Sequence, residues 1–233
     1  METVPIYVSI VFILTTFASV GFLIQAMKAA GTRSLPSRIL FFLLPLWIIF
    51  QAVLAMGGFY LNSSSVPPRL VLFGVLPAII TIAAYFIFFR DTFIDRIPLR
   101  LLTILHIVRI PVEIVLIWLF FAGQVPQLMT FEGRNFDILS GILAPIVYLA
   151  AFRGGSTNRW LLIIYNIFGL LLLANIVSIA VMSLPSPLQQ LAFDQPNRGV
   201  LYFPFIWLPT IIVPLVLFSH IAALWKLSRS KPG

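Results

Sequence analysis

The chain has 233 residues, of which 61% are hydrophobic and only 9% are charged, whereas a soluble domain usually carries about 25% charged residues. This composition excludes an ordinary soluble domain and indicates a membrane protein. The chain contains no cysteine, which excludes disulfides, thiol catalysis, thiolate metal sites and iron–sulfur clusters.

Seven apolar runs organise the chain. A helix that crosses a bilayer core about 30 Å thick needs roughly 20 apolar residues, and backbone polar groups inside a bilayer must be satisfied within the helix. We therefore predict an all-α fold, a single domain over residues 1–233 with seven transmembrane helices, of which the fifth is the shortest. The predicted spans are 5–27, 39–61, 70–89, 101–122, 137–152, 160–182 and 201–225.

The cations follow the odd-numbered spans. Eleven of the fifteen Lys and Arg residues lie there, three follow even-numbered spans, and Arg109 lies within a span. Because cytoplasmic loops are rich in Lys and Arg, this bias predicts an outside amino terminus and a cytoplasmic carboxyl terminus. The net charge of +8 is explained by attraction of these cations to anionic lipid headgroups. No nucleic-acid partner is expected. The eleven cations are Lys28, Arg33, Arg38, Arg90, Arg96, Arg100, Arg153, Arg159, Lys226, Arg229 and Lys231.

The fourth span carries a polar stripe, which is the first candidate site. At about 100° per residue, Thr103, His106, Arg109 and Glu113 share one helix face. Glu113 lies about 20 Å from the start of the span, where a charge is costly and marks a functional site by default. Arg109 and Glu113 are four residues apart, so they can form a structural ion pair. The alternative is a path or binding site for a proton, a cofactor or a small solute; a guanidinium suits an anionic solute.

The seventh span supplies a candidate second site, His220 with its neighbour Ser219. His220 and His106 each lie about 9 Å from the cytoplasmic edge. Two facing histidines at one depth can hold a b-type haem or form a proton relay. Ordinary hydrogen bonds to neighbouring helices are the third interpretation.

Two outer loops form a polar cluster ahead of the fifth and seventh spans. The cluster is predicted to cover the outer mouth of a cavity that reaches Glu113, or to be a salt-bridged pair of loops. Asp137 is also predicted to cap the fifth helix, since Asp is a favoured capping residue. The cluster comprises Glu132, Arg134, Asn135, Asp137, Asp194, Asn197 and Arg198.

Known catalytic patterns are absent from the sequence, including H-E-x-x-H, G-x-S-x-G and the P-loop. No catalytic residue and no metal site are predicted, and an enzyme is not favoured. Three functions stay open: a small-solute or proton-coupled transporter, a redox or sensing module with haem or another ligand between the fourth and seventh helices, and a structural subunit of a membrane complex. The oligomeric state is also open.

Three stretches carry a resemblance: "FEGRNFDILSGI" from residue 131, "FDQPNRGVLYFPFIWLP" from residue 193 and "VPLVLFSHI" from residue 213. They resemble a group of uncharacterised bacterial multi-pass membrane proteins of the Bacteroidota type. The resemblance implies a bacterial inner-membrane location and no particular activity.

Overall fold

A computed structural model describes residues 4–229 of the chain. These residues contain seven helices of 15 residues or more and no strand, which confirms the predicted all-α class. The helices are α1 (Ile6–Ala30), α2 (Leu35–Met56), α3 (Val71–Phe88), α4 (Leu99–Phe121), α5 (Asp137–Ala151), α6 (Arg159–Met182) and α7 (Leu208–Arg229).

Six of the seven helices are long and apolar enough to cross a membrane. The exception is α5, which has 15 residues and is therefore about 22 Å long. This agrees with the prediction that the fifth span is the shortest. The helix lengths and composition are those of an integral membrane protein.

The boundaries of α2 and α7 differ from the predicted spans. α2 begins at Leu35 because Pro36 occupies its first turn, a position where a missing N–H costs nothing. It ends at Met56 because Gly57 and Gly58 follow, and Gly58 has a φ of 70°. α7 begins at Leu208, seven residues later than predicted.

Three helices contain irregular turns. α4 narrows to a 3-10 helix over Leu105–Val108, just before Pro111, which lacks the N–H that would bond the carbonyl four residues earlier. α3 and α7 each begin with a π-helical turn, over Val71–Val75 and Leu208–Ile212. Such turns inside helices are often found at functional sites.

The centre of the bundle is formed by α4 and α7. In their most apolar stretches 56% and 67% of the residues are buried, against 17% in α2 and 11% in α3. α4 packs on α1, α5 and α7, and α6 packs on α5 and α7. The polar residues of α4 therefore face helices rather than lipid.

The basic loops meet at one end of the bundle, which we call the basic end. Arg96 donates to the carbonyl of Ala30, and Lys226 donates to the carbonyl of Asp95. Arg229 pairs with Asp91. The loops that follow α1 and α3 and the carboxyl end of α7 thus lie together, as the alternation of the cations requires.

Candidate functional site

Arg109 is the centre of a buried polar network and is only 2% exposed. Its Nε donates to Asp137 Oδ2 at 2.6 Å, and its Nη2 donates to Asp137 Oδ1. Nη1 donates to Ser140 Oγ at 2.7 Å and contacts His220 Nε2 at 3.0 Å, while Nη2 also reaches the Gly169 carbonyl at 3.3 Å. A guanidinium has five N–H donors. All five are engaged within the protein, so Arg109 has no free donor for a solute.

The hydrogen bonds of His220 fix its tautomer. Arg109 can only donate, so His220 Nε2 must accept, and the ring proton lies on Nδ1. Nδ1 is 2.9 Å from Asn166 Oδ1. The Asn166 amide is oriented by its own bond, in which Nδ2 donates to the Leu162 carbonyl at 2.7 Å. His220 is therefore a neutral imidazole, protonated on Nδ1.

His106 lies flat against His220. The ring centroids are 3.7 Å apart and the planes are inclined by 14°. Tyr165 contacts the His106 ring edge-on, with centroids 5.8 Å apart. Neither nitrogen of His106 has a hydrogen-bond partner. The sequence predicted a similar depth for the two histidines, and the structure places them in contact. Their face-to-face rings do not fit a haem, whose axial ligands approach the iron from opposite sides.

Glu113 belongs to the same network but not through Arg109. Its Oε1 accepts a bond of 2.6 Å from Asn135 Nδ2. Asn135 Oδ1 in turn accepts from the backbone N–H of Asp137 at 3.0 Å. Asn135 thus links the Glu113 carboxyl group to the backbone of Asp137. Oε2 of Glu113 has no hydrogen-bond partner, although the residue is only 1% exposed.

A cavity of about 210 Å³ adjoins this carboxyl group. It is lined by residues of α3 to α7 and of the segment 197–200, and almost all of the lining side chains are apolar. The polar residues that line it are Glu113, Asp137 and Asn197. Oδ1 of Asn197, like Oε2 of Glu113, is buried and has no partner. We call this space the Glu113 cavity.

A second space, of about 270 Å³, lies between α1, α2, α3 and α7. Its lining is almost entirely apolar and includes Trp47, Pro77 and Phe218. We call it the lateral groove. It shares no lining residue with the Glu113 cavity and includes no member of the polar network.

Two glycines allow the helices around Arg109 to come close. A Cβ at Gly141 of α5 would lie 2.9 Å from Cγ1 of Ile110. A Cβ at Gly169 of α6 would lie 2.3 Å from Cε1 of His220. Small residues at helix interfaces permit such close approach in membranes.

Two predictions about the charged residues are wrong. Arg109 does not pair with Glu113 but with Asp137, because Asp137 offers both carboxylate oxygens to the guanidinium. Asp137 does not cap α5: it is the first residue of the helix, and its side chain is committed to Arg109.

The polar stripe of α4 is buried along its whole length, but its amino-terminal end serves packing. Thr103 Oγ1 donates to the carbonyl of Leu99 in the same helix, at 2.9 Å. Ser219 Oγ donates to the carbonyl of Leu102 at 2.7 Å and ties α7 to α4. Neither hydroxyl contacts the Arg109 network.

The predicted outer cluster divides into two groups. Asn135, Asp137 and Asn197 are buried at the network and the Glu113 cavity. The remaining four are exposed, and no ion pair joins them within residues 4–229. Those four are Glu132, Arg134, Asp194 and Arg198.

Sequence analysis missed Ser140 and Gly169 as partners of Arg109. The only signal was the presence of small residues in α5 and α6, which is common in membrane helices. Within residues 4–229 no group of three or more His, Asp or Glu side chains is placed to hold a metal ion.

The fold and the network define an all-helical protein of the integral membrane class with a buried ionic site at its centre. A family model described as "Domain of unknown function (DUF8737)" matches residues 66–228, so the chain belongs to that family. The matched region includes every residue of the Arg109 network and of the Glu113 cavity, whereas α1 and α2 precede it. Comparisons with curated proteins and with solved structures gave no match.

Proposed function

We propose that this protein is a proton-coupled transporter of a small solute, with Glu113 as the group that exchanges a proton or the solute. One observation carries the proposal: a buried carboxyl group has one oxygen held by Asn135 and the other unpartnered beside a cavity of about 210 Å³. Ionisable groups inside membrane segments mark substrate paths and proton relays.

The network behind Glu113 joins it to the charged and polar groups at the centre of the bundle. Asn135 connects Glu113 to Asp137, and Arg109 connects Asp137 to His220. His106 stacks on His220 at the inner end of this chain of contacts. Glu113 and His106 are seven residues apart, so the network extends about 10 Å along α4.

The irregular helical turns of α3, α4 and α7 support the proposal, because they lie around the site. The π-helical turns of α3 and α7 both contribute to the wall of the Glu113 cavity. The 3-10 segment of α4 contains His106 and ends one residue before Arg109. Solute sites of transporters are commonly built where spanning helices are interrupted.

The alternatives are less well supported. The stacked histidines do not suit a haem, and a structural subunit has no need of a carboxyl oxygen left unpartnered beside a cavity. We further propose the bacterial inner membrane as the location, with the basic end in the cytoplasm, because Lys and Arg concentrate on that side.

Access to the cavity from both sides of the membrane tests the proposal without knowledge of the solute. The chain has no cysteine, so Val112→Cys, at the cavity wall, would be its single thiol. We expect a membrane-impermeant cationic methanethiosulfonate to modify this thiol in both right-side-out and inside-out vesicles.

Two further cysteines serve as controls for this labelling. Ser156→Cys, in the exposed loop at the basic end, should react from one side only. Ile114→Cys, which is partly exposed on the outer surface of α4, should not react because lipid covers it. A thiol at residue 112 that reacts from one side alone, or from neither, would contradict transport.

A further inference from the structure

The Glu113 cavity contains two hydrogen-bond acceptors that the protein leaves without a donor. Glu113 is 1% exposed and Asn197 is fully buried, and neither Oε2 nor Oδ1 has a partner. The Asn197 amide is held in place because its Nδ2 donates to the Ala180 carbonyl at 3.1 Å and its backbone N–H donates to the Ser183 carbonyl at 2.8 Å. An unsatisfied buried acceptor costs about 1–3 kcal/mol, so a ligand that donates to both atoms gains from each.

The polar side chains that line the cavity offer mainly acceptors. Asp137, the third of them, has both carboxylate oxygens on Arg109. Every other lining side chain is apolar. The ligand must therefore supply the hydrogen-bond donors.

The charges around the cavity favour a cation. Asp137 neutralises Arg109, and the Arg109 guanidinium is fully engaged. Glu113 is a second carboxyl group with no cationic partner, since its bond is to the neutral Asn135. A positively charged donor complements this arrangement, whereas an anion meets two carboxyl groups.

The volume limits the ligand's size. An engineered cavity of about 150 Å³ holds benzene. A cavity of about 210 Å³ thus accommodates a six-membered ring with a short substituent. Its apolar walls suit such a body.

We propose that the Glu113 cavity binds a small organic cation, a primary ammonium group on a compact apolar body, with Glu113 and Asn197 as the acceptors for its N–H groups. This inference rests on the proposed function, because it names the class of solute for the same site. It replaces the anionic solute that Arg109 suggested in the sequence.

Three probes that share one ring test the inference: benzylamine, benzyl alcohol and benzoate. Binding to the purified full-length protein in detergent is measured by the shift in melting temperature as a function of probe concentration, since a ligand of the folded state raises it. We expect benzylamine to bind at least about tenfold more tightly than benzyl alcohol, a difference of about 1.4 kcal/mol. Benzoate should produce no shift.

Glu113→Gln removes the charge and keeps an oxygen for Asn135. It should lower the affinity for benzylamine about tenfold or more and leave that for benzyl alcohol unchanged. Glu132→Gln is the matched control, because Glu132 is an exposed carboxylate, and it should change neither affinity.

A second pair of variants tests the location of the site. Ala180→Leu fills part of the cavity and should abolish the binding of benzylamine. Ala174→Leu makes the same change at an exposed position of α6 and should have no effect. This pair decides the location even if Glu113→Gln does not fold.

The inference is overturned if the amine and the alcohol bind equally to the native protein, if no probe binds, or if Ala180→Leu leaves amine binding intact. Amine-selective binding together with one-sided labelling of Val112→Cys would retain this inference and refute transport. Two-sided labelling without amine selectivity would refute this inference alone.

Discussion

Gly169 and His220 are packed so closely that no side chain fits between them. A Cβ atom at residue 169 would lie 2.3 Å from Cε1 and 2.5 Å from Nε2 of His220, and 3.0 Å from Oγ of Ser140. His220 and Ser140 both contact Arg109. The backbone of α6 therefore sets the position of two ligands of the central guanidinium.

Gly169→Ala is expected to displace His220 and to weaken its bond to Arg109. Inserting a methyl group into a packed core costs about 1–3 kcal/mol, and contacts as short as 2.3 Å put this site at the upper end. Unfolding in detergent, followed by circular dichroism, measures the loss. Gly21→Ala in α1 is the matched control, since nothing lies within 4 Å of a Cβ there, and an equal effect at both glycines would refute the constraint.

Asp137→Asn is expected to be among the most destabilising single changes in the network. It leaves the Arg109 charge buried without a counter-ion, which costs about 3–5 kcal/mol. Combining it with Arg109→Met should cost less than the sum of the two single changes, as measured in a double-mutant cycle of unfolding free energies.

Two comparisons test the assignment of this ion pair. Asp91→Asn makes the same change at an exposed ion pair with Arg229 and should alter stability by less than about 1 kcal/mol. Glu113→Gln should cost less than Asp137→Asn, because a glutamine oxygen can still accept from Asn135. If Glu113→Gln proves the more damaging of the two, Arg109 is paired within α4 after all.

The tautomer of His220 is open to direct measurement. The chain has two histidines, so His106→Leu leaves a single imidazole for 15N NMR. We expect the spectrum of a neutral ring with the proton on Nδ1, because Nε2 accepts from Arg109 and Nδ1 faces Asn166 Oδ1. A ring protonated on Nε2, or on both nitrogens, is incompatible with the Arg109 contact.

The basic end of the bundle is expected to face the cytoplasm. A fluorescent protein fused at Gly233, which lies outside the described residues, should fluoresce in the cytoplasm, and alkaline phosphatase fused there should be inactive. A fusion after Leu188, in the exposed connection between α6 and α7, should show the opposite pattern. The physical reason is the excess of Lys and Arg in the loops of the basic end. Reversed activities would mean that the basic end faces outward.

Hydrophobicity was sufficient to locate all seven helices, because long apolar runs are rare outside membranes. It misplaced several helix ends, among them the starts of α2 and α7. Leu35–Ser37 reads as a turn because it contains proline, yet proline fits the first turn of a helix. Residues 201–207 are apolar but not part of α7, which begins only at Leu208.

The site could be predicted only in part. The periodicity of α4 placed its four polar residues on one helix face, because that needs only the geometry of one helix. The partner of Arg109 could not be read from spacing, since Asp137 is 28 residues away and its approach depends on how α5 packs on α4. Proximity in sequence favoured Glu113, whereas the two carboxylate oxygens of Asp137 match the fork of the guanidinium better.

The π-helical turns of α3 and α7 determine which way each helix faces. One additional residue in a turn rotates everything after it by about 100° about the axis. Val71 and Val75 line the Glu113 cavity, while Pro77 and later residues of α3 line the lateral groove. Deleting one residue from either turn would shorten the span by only about 1.5 Å but would rotate the residues after it by about 100°, away from the spaces that they now line. The rotation of these helices about their axes, more than their length, therefore keeps the two spaces separate.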